Sequence, residues 1–141
     1  MQNYLETPEN IETNIKAWEK FASLCVKTQD WLGEIHARVE IAQLPGTQFF
    51  VISDTANRLN SFFRQQLLVL DTDEKEILVN KLLEVMEKRI QEGDATDCSR
   101  IAWLFLHIRN EQKAKEYTEM GLTKDGMNEY ILSLSEKLKI Y

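Results

Sequence analysis

The chain has 141 residues, a formal net charge of −6, five glycines and two prolines. That length predicts a single domain over residues 1–141. Such a domain buries about 68–70% of its unfolded surface and needs no disulfide or metal staples. Scarce Gly and Pro argue against a many-turned β fold, and the acidic balance argues against general nucleic-acid binding, which needs a basic face.

The hydrophobic pattern has a helical period throughout. Thr7-Pro8-Glu9 reads as a helix start: a hydroxyl cap, proline in the first turn, then an acid near the positive end. Ile11, Ile15, Trp18, Ala22 and Cys25 follow at steps of four and three, so this first helix is expected to reach about Thr28. Asp30 is expected to cap a second helix with Leu32, Ile35, Val39 and Ala42 inward, ended by Pro45-Gly46. A third helix is expected from about Gln48 to Leu70, on the stripe Ile52, Ala56, Leu59, Phe63 and Leu67. Asp71-Thr72-Asp73-Glu74 starts a fourth, with Val79, Leu82, Leu83, Met86 and Ile90 inward and Glu87, Lys88 and Glu92 outward. Gly93 is its expected carboxyl-terminal stop.

Asp94-Ala95-Thr96-Asp97 opens the fifth helix. Its core, Ile101-Ala102-Trp103-Leu104-Phe105-Leu106, is apolar on nearly every side, so it should lie at the centre of the domain. Asn110 separates it from a sixth helix. Ala102, Ala114 and Gly121 are small where the two must approach closely, and Phe105 and Tyr117 fill the wider space between them. Lys124-Asp125-Gly126 turns into a seventh helix, with Asp125 its expected cap and Met127, Ile131, Leu134 and Leu138 inward. Its outer face is polar, as the last element of a helical stack requires.

The hairpin from Cys98 to Gly126 resembles the tetratricopeptide repeat. Ile101, Ala102, Phe105, Ala114 and Gly121 stand at that family's spacing, while Cys98, Thr118 and Gly126 depart from it. A weaker copy begins at Trp18, Phe21 and Ala22 and continues through Gly33, Ala37 and Pro45; residues 47–92 do not match. The resemblance implies antiparallel helical hairpins in a short α-solenoid or bundle. It further implies a non-catalytic protein–protein interaction module that takes a peptide or protein partner. In that family one face of the first helix of each pair lines a concave groove. Here that face carries Arg100, Trp103 and His107, with Asn57 and Arg58 expected on a neighbouring wall. Packing of Trp103 and Leu106 against the third or fourth helix is the competing expectation.

Sequence offers little chemistry. It has no Gly-rich phosphate loop, no dinucleotide fingerprint and no zinc spacing, so neither cofactor nor metal is expected. His36 and Glu40, one turn apart, read as a surface contact rather than a metal site. Cys98 lies nine residues before His107 on one helix, about 13 Å by helical rise, which excludes a direct nucleophile–base bond. Asp94 and Asp97 read as capping residues. Lys81, Lys88 and Arg89 are interleaved with Glu84 and Glu87, as on a solvated face. Cys25 and Cys98 fall on apolar faces and read as free thiols of a reducing, cytoplasmic compartment. There is no signal-peptide pattern and no apolar run long enough for a membrane span. The alternative expectation is a regulatory or self-association domain of a larger signalling or nucleotide-hydrolysing protein, forming a homo-oligomer.

Overall fold

The computed structural model describes residues 8–140. These residues form seven α-helices and no strand: α1 Pro8–Thr28, α2 Trp31–Gln43, α3 Phe49–Arg64, α4 Asp73–Arg89, α5 Ala95–His107, α6 Glu111–Lys124 and α7 Glu129–Lys137. The architecture is the expected all-α arrangement of helical hairpins. The cap expected at Thr7 lies outside the described residues.

The helices stack in two rows. α3, α5 and α7 pack in succession along one; α2 and α4 lie behind them, and α6 packs on both α5 and α7. One continuous core runs through both rows from Ile35 to Leu138, with Ile101, Ala102 and Leu104 of α5 wholly buried at its centre. The α5–α6 seam is built as its small and large residues require. Ala102 and Ala114 are buried, and the Phe105 and Tyr117 rings stack 5.7 Å apart and nearly parallel. Tyr117 Oη also donates to Glu87 of α4 at 2.6 Å, and Lys113 joins the same carboxylate at 3.1 Å. Glu87, expected to face solvent, thus ties α4 to α6.

α1 stands apart. It packs chiefly on α2 and has no residue in the continuous core. Ala22 and Cys25 of its inner stripe are buried, whereas Ile11, Ile15 and Trp18 are half-covered and Phe21 and Leu24 are 41% and 56% exposed.

Helix ends follow local chemistry. Asp30, Thr72, Asp94, Asn110 and Asn128 each accept a backbone N–H from the first turn of the helix they precede. Asn128 therefore caps α7 in place of Asp125, whose carboxylate takes the Met127 N–H at 3.0 Å instead. This puts Met127 in the turn, 83% exposed, while Ile131, Leu134 and Leu138 point inward as expected. α3 ends at Arg64, six residues before the expected Leu70. Gln66 takes a left-handed φ of 59°, and the N–H groups of Leu67 and Gln66 close on the carbonyls of Phe62 and Phe63. That motif stops a helix whatever its hydrophobic stripe does next. The same closure, with Gln29, Arg109 or Lys139 left-handed, ends α1, α5 and α7. Gly93 is not left-handed: its φ is −93°, and the chain leaves α4 through a 3-10 turn at Ile90–Glu92. Its missing side chain makes room for Asp97, whose Cβ would lie 2.8 Å from a Cβ at Gly93.

One polar tie in the interior has no signal in the local sequence. Glu34 of α2 is completely buried. Its carboxylate accepts from Arg38 Nε at 2.7 Å, from Arg58 Nε of α3 at 2.7 Å and from Arg58 Nη2 at 3.1 Å. Burial alone would raise its pKa, but the hydrogen bonds and charges of Arg58 and Arg38 outweigh burial and hold it below the ordinary value. Arg58 therefore faces α2, with its guanidinium 4.7 Å over the Phe62 ring, and does not wall the α3–α5 face as expected.

Two outcomes follow. A Cβ at Gly121 would lie 2.7 Å from Ile131 Cγ1 and 3.2 Å from Cys98 Cβ, and Ile131 is fully buried. Gly121→Ala is expected to cost about 1–3 kcal/mol in chemical denaturation, and Lys115→Leu on the exposed face close to nothing. Because folding lowers the Glu34 pKa, its contribution to stability is fully present above the unfolded value of about 4.3 and is lost as pH falls through the folded one. Melts at successive pH values below 5 should fall more steeply in the wild type than in Glu34→Gln; parallel curves would contradict the assignment.

Candidate functional site: the cleft between α3, α5 and α7

α5 is placed by its own amino end. Asp94 Oδ1 accepts the Asp97 N–H at 3.0 Å and Asp97 Oδ2 accepts the Asp94 N–H at 2.9 Å, a complete capping box. The backbone N–H of Asp97 is the main cause that keeps the Asp94 carboxyl below its usual pKa. The second oxygen of Asp97 reaches across to α3 and accepts the Ser53 hydroxyl. Arg100, one turn on, donates from Nη1 to Ser53 Oγ at 3.0 Å and to Asp54 Oδ1 at 3.3 Å. Asn60 Nδ2, from the same face of α3, donates to the Arg100 carbonyl at 2.9 Å. A polar strap thus joins α3 to α5 along one side of both helices.

Beside the strap lies a cleft of about 260 Å³. Asn57 and Arg64 line it from α3, Ser99, Arg100 and Trp103 from α5, and Tyr130 from α7. Of Arg100, Trp103 and His107, the three residues expected to share a groove, Arg100 and Trp103 line this cleft and His107 does not. Trp103 is half-buried, its ring 5.8 Å from Lys137 Nζ of α7. It therefore packs against the core and also lines the cleft. The Arg100 side chain is 25% exposed and engaged by the strap.

His107 lies beyond this cleft. Its ring packs on Phe63 of α3 at 4.9 Å and on Trp103 at 6.0 Å, and it lines a separate groove with Phe63, Leu68, Glu76, Asn80 and Ile108. Its Nε2 is buried without a hydrogen-bond partner. Burial, and secondarily the charge of Arg64, lower its pKa. Asn60 Oδ1, on a residue lining the cleft, is likewise buried without a partner.

Sequence reading found Arg100, Trp103 and Asn57 but missed Arg64, Tyr130 and Lys137. Asn57, Asn60 and Arg64 stand at i, i+3 and i+7, so one face of α3 predicts Arg64 once Asn57 is chosen. No such signal announces Tyr130, which depends on how α7 meets α5.

The other candidates settle into ordinary roles. His36 Nε2 lies 3.5 Å from Glu40 on an exposed face and packs edge-on to Trp18 at 5.5 Å. Arg89 pairs with Glu92 at 2.7 Å and donates to the Thr47 carbonyl. Cys98 is fully buried, and burial pushes its thiol up to about 11. Among the described residues no three potential ligands converge on a metal position. No described helix is long and apolar enough to cross a membrane. Comparison with family models, with curated proteins and with solved structures finds no match to this chain.

Proposed function

We propose that this protein is a non-catalytic interaction module that receives a peptide segment of a protein partner in the cleft between α3, α5 and α7. The observation that carries this reading is the meeting of Arg64, Arg100, Trp103 and Tyr130 around one opening. Arginine and aromatic side chains at a partly covered, well-packed site are the residue types that dominate protein interfaces. Arg64 has no ion pair among the described residues, so it is available to a partner carboxylate, with Arg100 beside it. Trp103 and Tyr130 supply the apolar platform. On this reading the row α3, α5, α7 corresponds to the groove-lining helices of a tetratricopeptide-like stack. The non-catalytic reading is supported by a Cys98 thiol that burial keeps protonated and by a His107 whose buried nitrogen has no orienting acid. Two free thiols fit a reducing, cytoplasmic setting.

A second reading, a self-association domain of a larger signalling or nucleotide-hydrolysing protein, is favoured by the exposed Phe21 and Leu24 on α1. Sedimentation mass of the isolated chain separates the two, since a monomer retains the cleft reading alone.

Once a partner has been captured from the native source, Trp103→Ala and Arg64→Ala test the cleft. Each is expected to weaken binding about tenfold or more, as hot-spot truncations do; Arg64→Ala, at an exposed residue, should do so with little change in melting temperature, whereas Trp103→Ala also loses core packing. Unchanged affinity in both would refute the cleft. Arg100→Ala is a poorer probe, because it also loosens the strap to Ser53 and Asp54.

A further inference from the structure

His107 lines the neighbouring groove of about 680 Å³, and its ring packs on Trp103, which lines the cleft. One side of its ring meets Phe63 and Trp103, and another borders the groove that Glu76 and Asn80 line. We propose that His107 is a proton-driven wedge: protonation moves its imidazole off Phe63 and Trp103 into the groove lined by Glu76, and so shifts the Trp103 wall of the cleft.

The wedge position suits only the neutral ring. A neutral imidazole has one N–H and one lone pair, whereas the imidazolium presents an N–H at both nitrogens. Nε2 is buried with no acceptor, so the charged ring would bury an unmet charged donor where it now sits. The charged groups around it add to this. Arg64 on α3 repels the imidazolium and Lys137 on α7 sits on the Trp103 ring, while Arg109, just past α5, lines the groove itself. Glu76 on α4 is the acid among the groove-lining residues. The groove thus offers the protonated ring the Glu76 carboxylate, set against the charge of Arg109, whereas the wedge position gives Nε2 no acceptor. Departure of the ring removes one neighbour of Trp103, which lines the cleft. The direction of the His107 shift, from burial first and Arg64 second, agrees with this geometry: the wedged state is fully present above the ordinary histidine value of about 6.5 and is lost as pH falls through the lowered one. The device operates whether or not the cleft takes a peptide.

The test needs no ligand. In a His36→Gln background His107 is the remaining histidine of the chain. Its ring proton and the Trp103 indole N–H, assigned through Trp103→Phe, are followed by NMR from pH 8 to pH 5. The two signals are expected to titrate with one midpoint below about 6.5, the indole response vanishing in His107→Gln. Glu76→Gln is expected to lower the His107 midpoint further, because the protonated ring loses its acceptor. A flat indole signal while His107 titrates, or different midpoints, would overturn the coupling. An indole response that survives His107→Gln would assign it to another group. A His107 midpoint unmoved by Glu76→Gln would overturn the destination of the ring. Should His107→Gln fail to fold, the wild-type midpoints still decide the matter.

Discussion

The cleft depends on one constraint: the polar strap that fixes α5 against α3. Asp97 does two things at once, closing the capping box of α5 with one oxygen and accepting Ser53 of α3 with the other. Because the box sets where α5 begins, it also sets the phase of the helix. That phase puts Arg100 and Trp103 toward α3 and α7, and Ile101, Ala102 and Phe105 into the core. Gly93 belongs to the same arrangement, since any side chain there would displace Asp97. The capping residues that look purely local therefore position the site.

A second tie, the buried Glu34 between Arg38 and Arg58, holds α2 to α3 on the opposite side of α3. Such pairs gain little net stability against an apolar substitute, but losing one partner is costly. Its effect is to orient α3: with Arg58 committed to Glu34, Asn57 and Arg64 are left on the cleft side. The α4–α6 tie from Glu87 to Tyr117 and Lys113 plays the corresponding part for the second row. By contrast α1 has no residue in the continuous core, and only Ala22 and Cys25 of its inner stripe are buried. It is the element expected to open first in hydrogen exchange.

Helix number and most helix starts were legible, because period-3.6 stripes and Asp, Asn and Thr caps are local signals. Helix ends were less so. Four of them close on non-glycine residues in the left-handed region, and nothing in Gln29, Gln66, Arg109 or Lys139 marks that conformation. The third helix was read too long for this reason: Leu67 to Leu70 continue its stripe after Gln66 has already ended it. Glu34 carries no local signal of burial, because its partner Arg58 comes from α3 and its burial exists only where α2 meets α3. Of the site, Arg100 and Trp103 were found from one helix face. His107 shares that face in sequence but lies past the cleft, because Phe63 of α3 covers it. Tyr130 and Lys137 arrive from α7 through tertiary packing that no local pattern encodes.

The most direct test of the central claim is a map of backbone and indole NMR shifts as a captured partner peptide is added. The largest changes are expected on Asn57, Arg64, Ser99, Trp103 and Tyr130, with α1 unaffected. Changes concentrated on Phe21 and Leu24, with the cleft residues still, would contradict it.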